Sequence, residues 1–161
     1  MRKMLFLGLA AVTVTALVVA ASALATGAAP TSGKRTKVVR ISTRSLAKLG
    51  TVLVNSKGLT LYMFVPDNRK KVTCKDTCAA VWPPAKLPRG AKPVAAGKAK
   101  SRLLGSDPNP AGGRVVTYSR WPLYTYVADR APGQAKGQAL NLNGGLWYVL
   151  APSGKVIRKK P

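Results

Sequence analysis

Leu61-Tyr62-Met63-Phe64-Val65-Pro66-Asp67 and Leu123-Tyr124-Thr125-Tyr126-Val127-Ala128-Asp129 align on one another without a gap. Each follows a segment of β character and precedes a tryptophan, Trp82 or Trp147, about twenty residues further on, and such self-similarity signals two copies of one supersecondary unit. In an extended strand successive side chains alternate between faces. Tyr62 and Phe64 therefore share one face, opposite Leu61, Met63 and Val65; the second copy sets Tyr124 and Tyr126 opposite Leu123, Thr125 and Val127. Both faces need cover. Asp67 and Asp129 stand just past the strand ends, where a carboxylate accepts backbone N–H groups and fixes the exit turn. The alternative is a ligand or cation site, with the aromatic rings stacking on a sugar or base and Asp accepting its hydrogen bonds.

Outward from this pair the pattern is strands and turns. Val38–Ile41 reads as a short first strand, and Thr51–Val54 and Leu59–Val65 flank Asn55-Ser56-Lys57-Gly58, a hairpin loop. Ser45–Leu49 has room for one helical turn. Pro83–Gly113, rich in Pro, Gly, Ala and Lys, reads as a long basic connection in which only Arg102-Leu103-Leu104 suggests a strand. Strand character returns at Arg114–Tyr118, Leu123–Val127, Leu146–Leu150 and Lys155–Ile157, the last after the turn Pro152-Ser153-Gly154. The expectation is an all-β domain over residues 38–157. Two pseudo-repeats of β-hairpin units, about 50–88 and 114–157, form one compact sheet, sandwich or barrel, with little helix.

The N-terminus sets the compartment. Arg2-Lys3, the apolar run Met4–Ala20 and the small-x-small site Ala23-Leu24-Ala25 predict a signal peptide over residues 1–25, cleaved after Ala25; the alternative is an uncleaved membrane anchor. No Cys follows the site, so lipid anchoring is not expected. Residues 26–37 read as a flexible basic linker and 158–161 as a basic tail.

The 161-residue chain carries a formal charge of +23 from 27 basic residues and four Asp, and loss of Arg2 and Lys3 leaves a mature charge of about +21. Outside a cell such a charge attracts an anionic cell-wall polymer, an anionic membrane surface or free nucleic acid. The competing reading is a solubilising or adapted surface, since the basic residues are spread along the chain. There is no His and no Glu. His-based acid–base chemistry, Ser-His-Asp and Cys-His nucleophiles and His-ligated metal sites are thereby excluded, and paired-carboxylate chemistry would rest on Asp67, Asp76, Asp107 and Asp129. No catalytic residue, metal or cofactor is expected.

Cys74 and Cys78 are the only cysteines, and in an exported chain a disulfide closing a short loop is the default. Thioredoxin-like, haem-attachment and copper-carrier sites each need a spacing or a His that is missing here. Trp82, Trp121 and Trp147 read as core plugs. Arg120-Trp121 beside Tyr118 and Tyr124 is where stacking on single-stranded nucleic acid would be sought, although no nucleic-acid motif is present.

These residues resemble the bacterial secreted-repeat proteins and predicted lipoproteins with a Tyr-x-(Phe/Trp/Tyr)-x-x-Asp motif, a family of unknown function. The resemblance runs from Leu49–Val54 through Gly58–Tyr62, Cys74–Pro84 with its Trp82-Pro83-Pro84, and Pro122–Gly154 with its Gly144-Gly145-Leu146-Trp147. Two departures are the missing lipobox Cys and the high basic content. The resemblance implies an extracytoplasmic β-repeat protein and names no ligand. The functional expectation is a non-enzymatic binding or structural module of the cell envelope, adhering to anionic wall or membrane polymers. The alternative is a redox or electron-transfer accessory using Cys74 and Cys78.

Overall fold

A computed structural model describes residues 37–69 and 71–160. The expected signal peptide and all of the linker before Lys37 lie outside them. β-branched residues in Val38-Val39-Arg40-Ile41-Ser42-Thr43 start a strand, β1, that runs over Val38–Leu46. It turns back into β2 (Gly50–Val54), with Leu46 opposite Gly50 and Ser42 opposite Val54. The helical turn expected at Ser45–Leu49 is absent. Ser45 and Leu46 end β1, and residues 47–49 form a three-residue hairpin loop, closed by Leu49 N–H on the Leu46 carbonyl at 3.2 Å and by Gly50 at φ 79°. Five residues cannot nucleate a helix against a ladder already in register on both sides.

The loop Asn55–Gly58 is present, its carboxamide accepting from the N–H of Lys57 and Leu59. The hairpin beyond it is shorter than expected. Only Val54 pairs with Thr60, and β3 is Tyr62–Phe64, ended by a 3-10 turn at Val65–Asp67. The helix α1 (Asp76–Val81) then carries the chain to Trp82.

The stretch Pro83–Gly113 is structured, contrary to its reading as a connection. It contributes β4 (Lys86–Leu87), β5 (Lys92–Ala95) and β6 (Leu104–Pro108), with a 3-10 turn at Ser101–Leu103. These strands are short and rich in Pro and Gly, so no periodicity develops within them. They are held from outside: β5 runs parallel to β1, with Val38 opposite Lys92, and β4 and β6 flank β7 (Arg114–Tyr118). After β7 come β8 (Trp121–Pro122), β9 (Leu140–Leu142), β10 (Gly145–Leu150) and β11 (Val156–Ile157), the last two forming the expected terminal hairpin.

Three small sheets result: β2-β1-β5, β4-β7-β6 with β8 on β7, and β11-β10-β3 with β9 on β10. The fold is all-β with little helix, and none of the sheets closes into a barrel. Two layers of side chains fill it. Tyr62, Phe64, Trp82, Tyr124 and Trp147 lie in one cluster with Cys74 and Cys78; Leu61, Met63, Leu123, Ile41, Val116 and Leu150 lie in the other. The motif strand thus has both faces covered, as its alternating side chains require.

Candidate functional site

Leu123–Val127, expected as a strand, forms no regular ladder: it is bridged only at Tyr124 and enters a turn at Val127. Tyr124 bridges both Tyr62 and Pro84, and Thr125 and Val127 donate to the carbonyls of Pro83 and Val81. The ladder is broken because Pro83 and Pro84, on the facing segment, have no N–H to return. The partner is informative. β3 of the first repeat pairs with β10, the Trp147 strand of the second, with Phe64 opposite Trp147 and Tyr62 opposite Val149. The second motif segment pairs with the Trp82 segment of the first, with Tyr124 opposite Pro84. Each tryptophan lies two residues before the residue facing the other repeat's motif tyrosine. The two repeats have exchanged strands, and they meet where Tyr62 and Tyr124 swap backbone hydrogen bonds of 2.8 and 2.9 Å.

The side chains repeat this exchange. The Tyr62 hydroxyl donates to Asp129 Oδ2 at 2.5 Å, and the Tyr124 hydroxyl donates to Asp67 Oδ2 at 2.7 Å. Each motif tyrosine therefore binds the aspartate of the other repeat. The remaining oxygens are held locally: Asp67 Oδ1 accepts Thr73 N–H at 2.7 Å and Thr73 Oγ1–H at 2.6 Å, and Asp129 Oδ1 accepts Lys136 N–H at 2.9 Å. Tyr62 in turn accepts Gly137 N–H at 3.3 Å. The aspartates are 1% and 3% exposed and both tyrosines are fully buried.

The aromatic rings follow the same rule. Trp82 and Trp147 lie face to face, centroids 3.9 Å apart and planes 4° apart. Tyr126 of the second repeat covers Trp82 at 4.2 Å, and Phe64 of the first covers Trp147 at 4.1 Å, making a four-ring column with rings of both repeats alternating outward from its centre. Tyr62 and Tyr124 meet Trp82 and Trp147 edge-on at 5.4 and 5.2 Å. Gly137 passes so close to this column that a Cβ there would lie 2.6 Å from Trp82.

Burial sets the electrostatics. It pushes the phenol of Tyr62 far above its ordinary value, with the Asp129 carboxylate adding to the effect, and does the same to Tyr124 beside Asp67. Burial also raises the Asp67 carboxyl, against the opposing pull of its donors Thr73 and Tyr124. These groups are satisfied and enclosed. Thr73, Lys136 and Gly137, which complete the arrangement, carry no motif that a reading of the sequence could have found: all three act through backbone N–H groups, to which Thr73 adds its hydroxyl.

Cys74 and Cys78 form a disulfide with Cα atoms 5.2 Å apart, buried against the Trp82 cluster at the start of α1. Trp121, at 8% exposure, lies in the other cluster beneath the Arg69 guanidinium, 5.3 Å from its ring centroid. Among the described residues no group of three or more Cys, Asp, Glu or His is placed to hold a metal ion. Two surface depressions of about 470 and 430 Å³ open on the seams between the repeats. One carries Lys71 and Lys75 beside Thr73; the other carries Lys48 and Lys136.

A family described as a secreted repeat of unknown function matches residues 43–86 and 108–151, each span running from the first hairpin of a repeat past its tryptophan. No curated protein and no solved structure matches the chain. With two copies of the repeat covering more than half its length, the chain belongs to this family of secreted repeats of unknown function.

Proposed function

We propose that this secreted protein is a non-enzymatic adhesive module, free of a lipid anchor, that binds anionic polymers of the cell envelope through its Lys/Arg surface. The observation that carries this reading is the partition of charge. Every described Lys and Arg is exposed, whereas two of the four Asp, Asp67 and Asp129, are buried in the interlock between the repeats. The outer surface is therefore more one-sidedly cationic than the composition alone conveys. A polyanion meets such a surface by releasing counterions, which makes binding strong at low salt and progressively weaker as salt rises. The interior supports the same reading, because its aromatic rings and carboxylates are fully used in holding the two repeats together.

The test is retention of the mature chain on purified cell walls, with and without their teichoic acid, across a salt series. Retention that requires the polymer and fades with salt supports the proposal. Retention indifferent to salt, or none at low salt, rejects it.

A further inference from the structure

Two surface pockets of about 300 and 330 Å³ occupy matching places in the two repeats. Each lies against the first strand of its repeat, the end of the second strand and the loop that leads into the motif. In the first repeat these are β1, β2 and Asn55–Gly58; in the second they are β6 with its preceding 3-10 turn, β7 and Ser119–Arg120. By strand register Ser42, opposite Val54, corresponds to Gly105, opposite Thr117, and all four line the pockets. Each pocket carries three cations: Arg40, Arg44 and Lys57 in one, Arg69, Arg102 and Arg120 in the other.

The two trios match only in part: Lys57 and Arg120 both arise from the loop that leads into the motif, whereas Arg69 comes from the segment after the motif and Arg40 and Arg44 from β1. The backbone helps to place them. Asn68-Arg69 and Ser119-Arg120 are pairs of non-glycine residues at positive φ (47° and 57°, 50° and 67°); the second pair forms the two-residue turn between Tyr118 and Trp121, which requires that conformation and holds Arg120 at the turn. Arg69 is steadied on the face of Trp121, and Arg44 Nη2 lies 3.3 Å from where a Cβ on Gly58 would stand. Among the described residues no Asp lines either pocket; Asp107, on whose carboxyl Arg114 and Arg120 exert a lowering pull, lies outside the second. Three cations lining one pocket attract an anion to it, and arginine forks bind the oxygens of a phosphate bidentately.

We propose that these two pockets are seats for phosphate groups of one polymer, so that the two-repeat chain grips it bivalently. The proposal rests on the adhesive reading above and adds to it a place, a chemistry and a valency. Linking two seats makes the second contact intramolecular, so loss of either seat weakens a long polymer far more than it weakens inorganic phosphate.

The experiment uses the mature chain, linear polyphosphate, inorganic phosphate, polyglutamate and anionic phospholipid vesicles at physiological ionic strength. It compares R69Q/R102Q/R120Q, R40Q/R44Q/K57Q and a control of equal charge change, K86Q/R89Q/K92Q, whose positions line neither pocket. Each pocket variant should lose at least about tenfold in polyphosphate affinity, while the control stays within about threefold. The charge-preserving R69K/R102K/R120K should also weaken polyphosphate binding, because an ammonium cannot form the bidentate fork, and unchanged thermal melting separates this from unfolding. Equal losses in all three glutamine variants would overturn the seats and leave a diffuse cationic adhesin standing. A wild-type chain that binds none of these anions overturns both readings. Seat-dependent binding to anionic phospholipid vesicles, without seat-dependent binding to polyphosphate, overturns the polymer as ligand.

Discussion

Tyr62 and Asp67 are five residues apart, yet each acts on the other repeat: Tyr62 on Asp129, and Asp67 on Tyr124. The motif was legible as a repeat; Asp67 and Asp129 accept backbone N–H groups not of the exit turn itself but from Thr73 and Lys136, six and seven residues on. The exchange was not legible, since one-dimensional spacing does not say which copy a hydroxyl reaches. Double-mutant cycles read it directly. The Tyr62→Phe and Asp129→Asn pair should couple by about 1.5–3 kcal/mol, the range for a hydrogen bond to a charged group, and Tyr62→Phe with Asp67→Asn by much less. Urea unfolding supplies the free energies. A second residue-scale expectation concerns alkali. Both phenols titrate above their ordinary value of 10.0 in the fold, so below that pH neither state ionises and nothing is lost. Above it the unfolded chain ionises first, unfolding releases protons, and stability falls by about 1.4 kcal/mol per pH unit for each tyrosine. The Y62F/Y124F variant keeps every lysine and should lack this extra slope. The raised Asp67 carboxyl acts at the acid end: its contribution is present below the ordinary 3.8 and lost as pH rises, so acidification does not unfold the protein through Asp67.

At the scale of elements, strands with their own alternation or β-branched residues were legible: Arg114–Tyr118 was read to the residue, and the terminal hairpin was found. Strands held only by a neighbour were not. Lys92-Pro93-Val94-Ala95 has no strand signal, and it pairs because β1 offers a parallel edge. The opposite error fell at Leu123–Val127, whose pattern is strand-like but whose facing segment contains Pro83-Pro84. The disulfide belongs to this scale as well. It closes only a five-residue span at the entry to α1, and the entropy of so short a loop is worth about 2 kcal/mol. C74S/C78S should therefore lower the free energy of unfolding in urea by that much and leave polymer binding unchanged. A loss of binding with stability intact would return the cysteine pair to the list of functional residues.

For the whole molecule, two copies of a unit that is too small to bury its own aromatic residues solve the problem jointly. Trp82 is sandwiched between Tyr126 and Trp147, both from the second repeat, and Trp147 between Phe64 and Trp82, both from the first. Neither repeat owns a complete core, so folding and the pairing of the repeats are one event. The exposed cations are then carried on a frame whose interior is committed to that pairing. The most direct test divides the mature chain between Lys98 and Ala99 and measures circular dichroism and sedimentation of each half alone and of the equimolar mixture. The interlock predicts that neither half folds as a monomer and that the mixture restores the native spectrum in a one-to-one complex; a half that folds cooperatively as a stable monomer contradicts it.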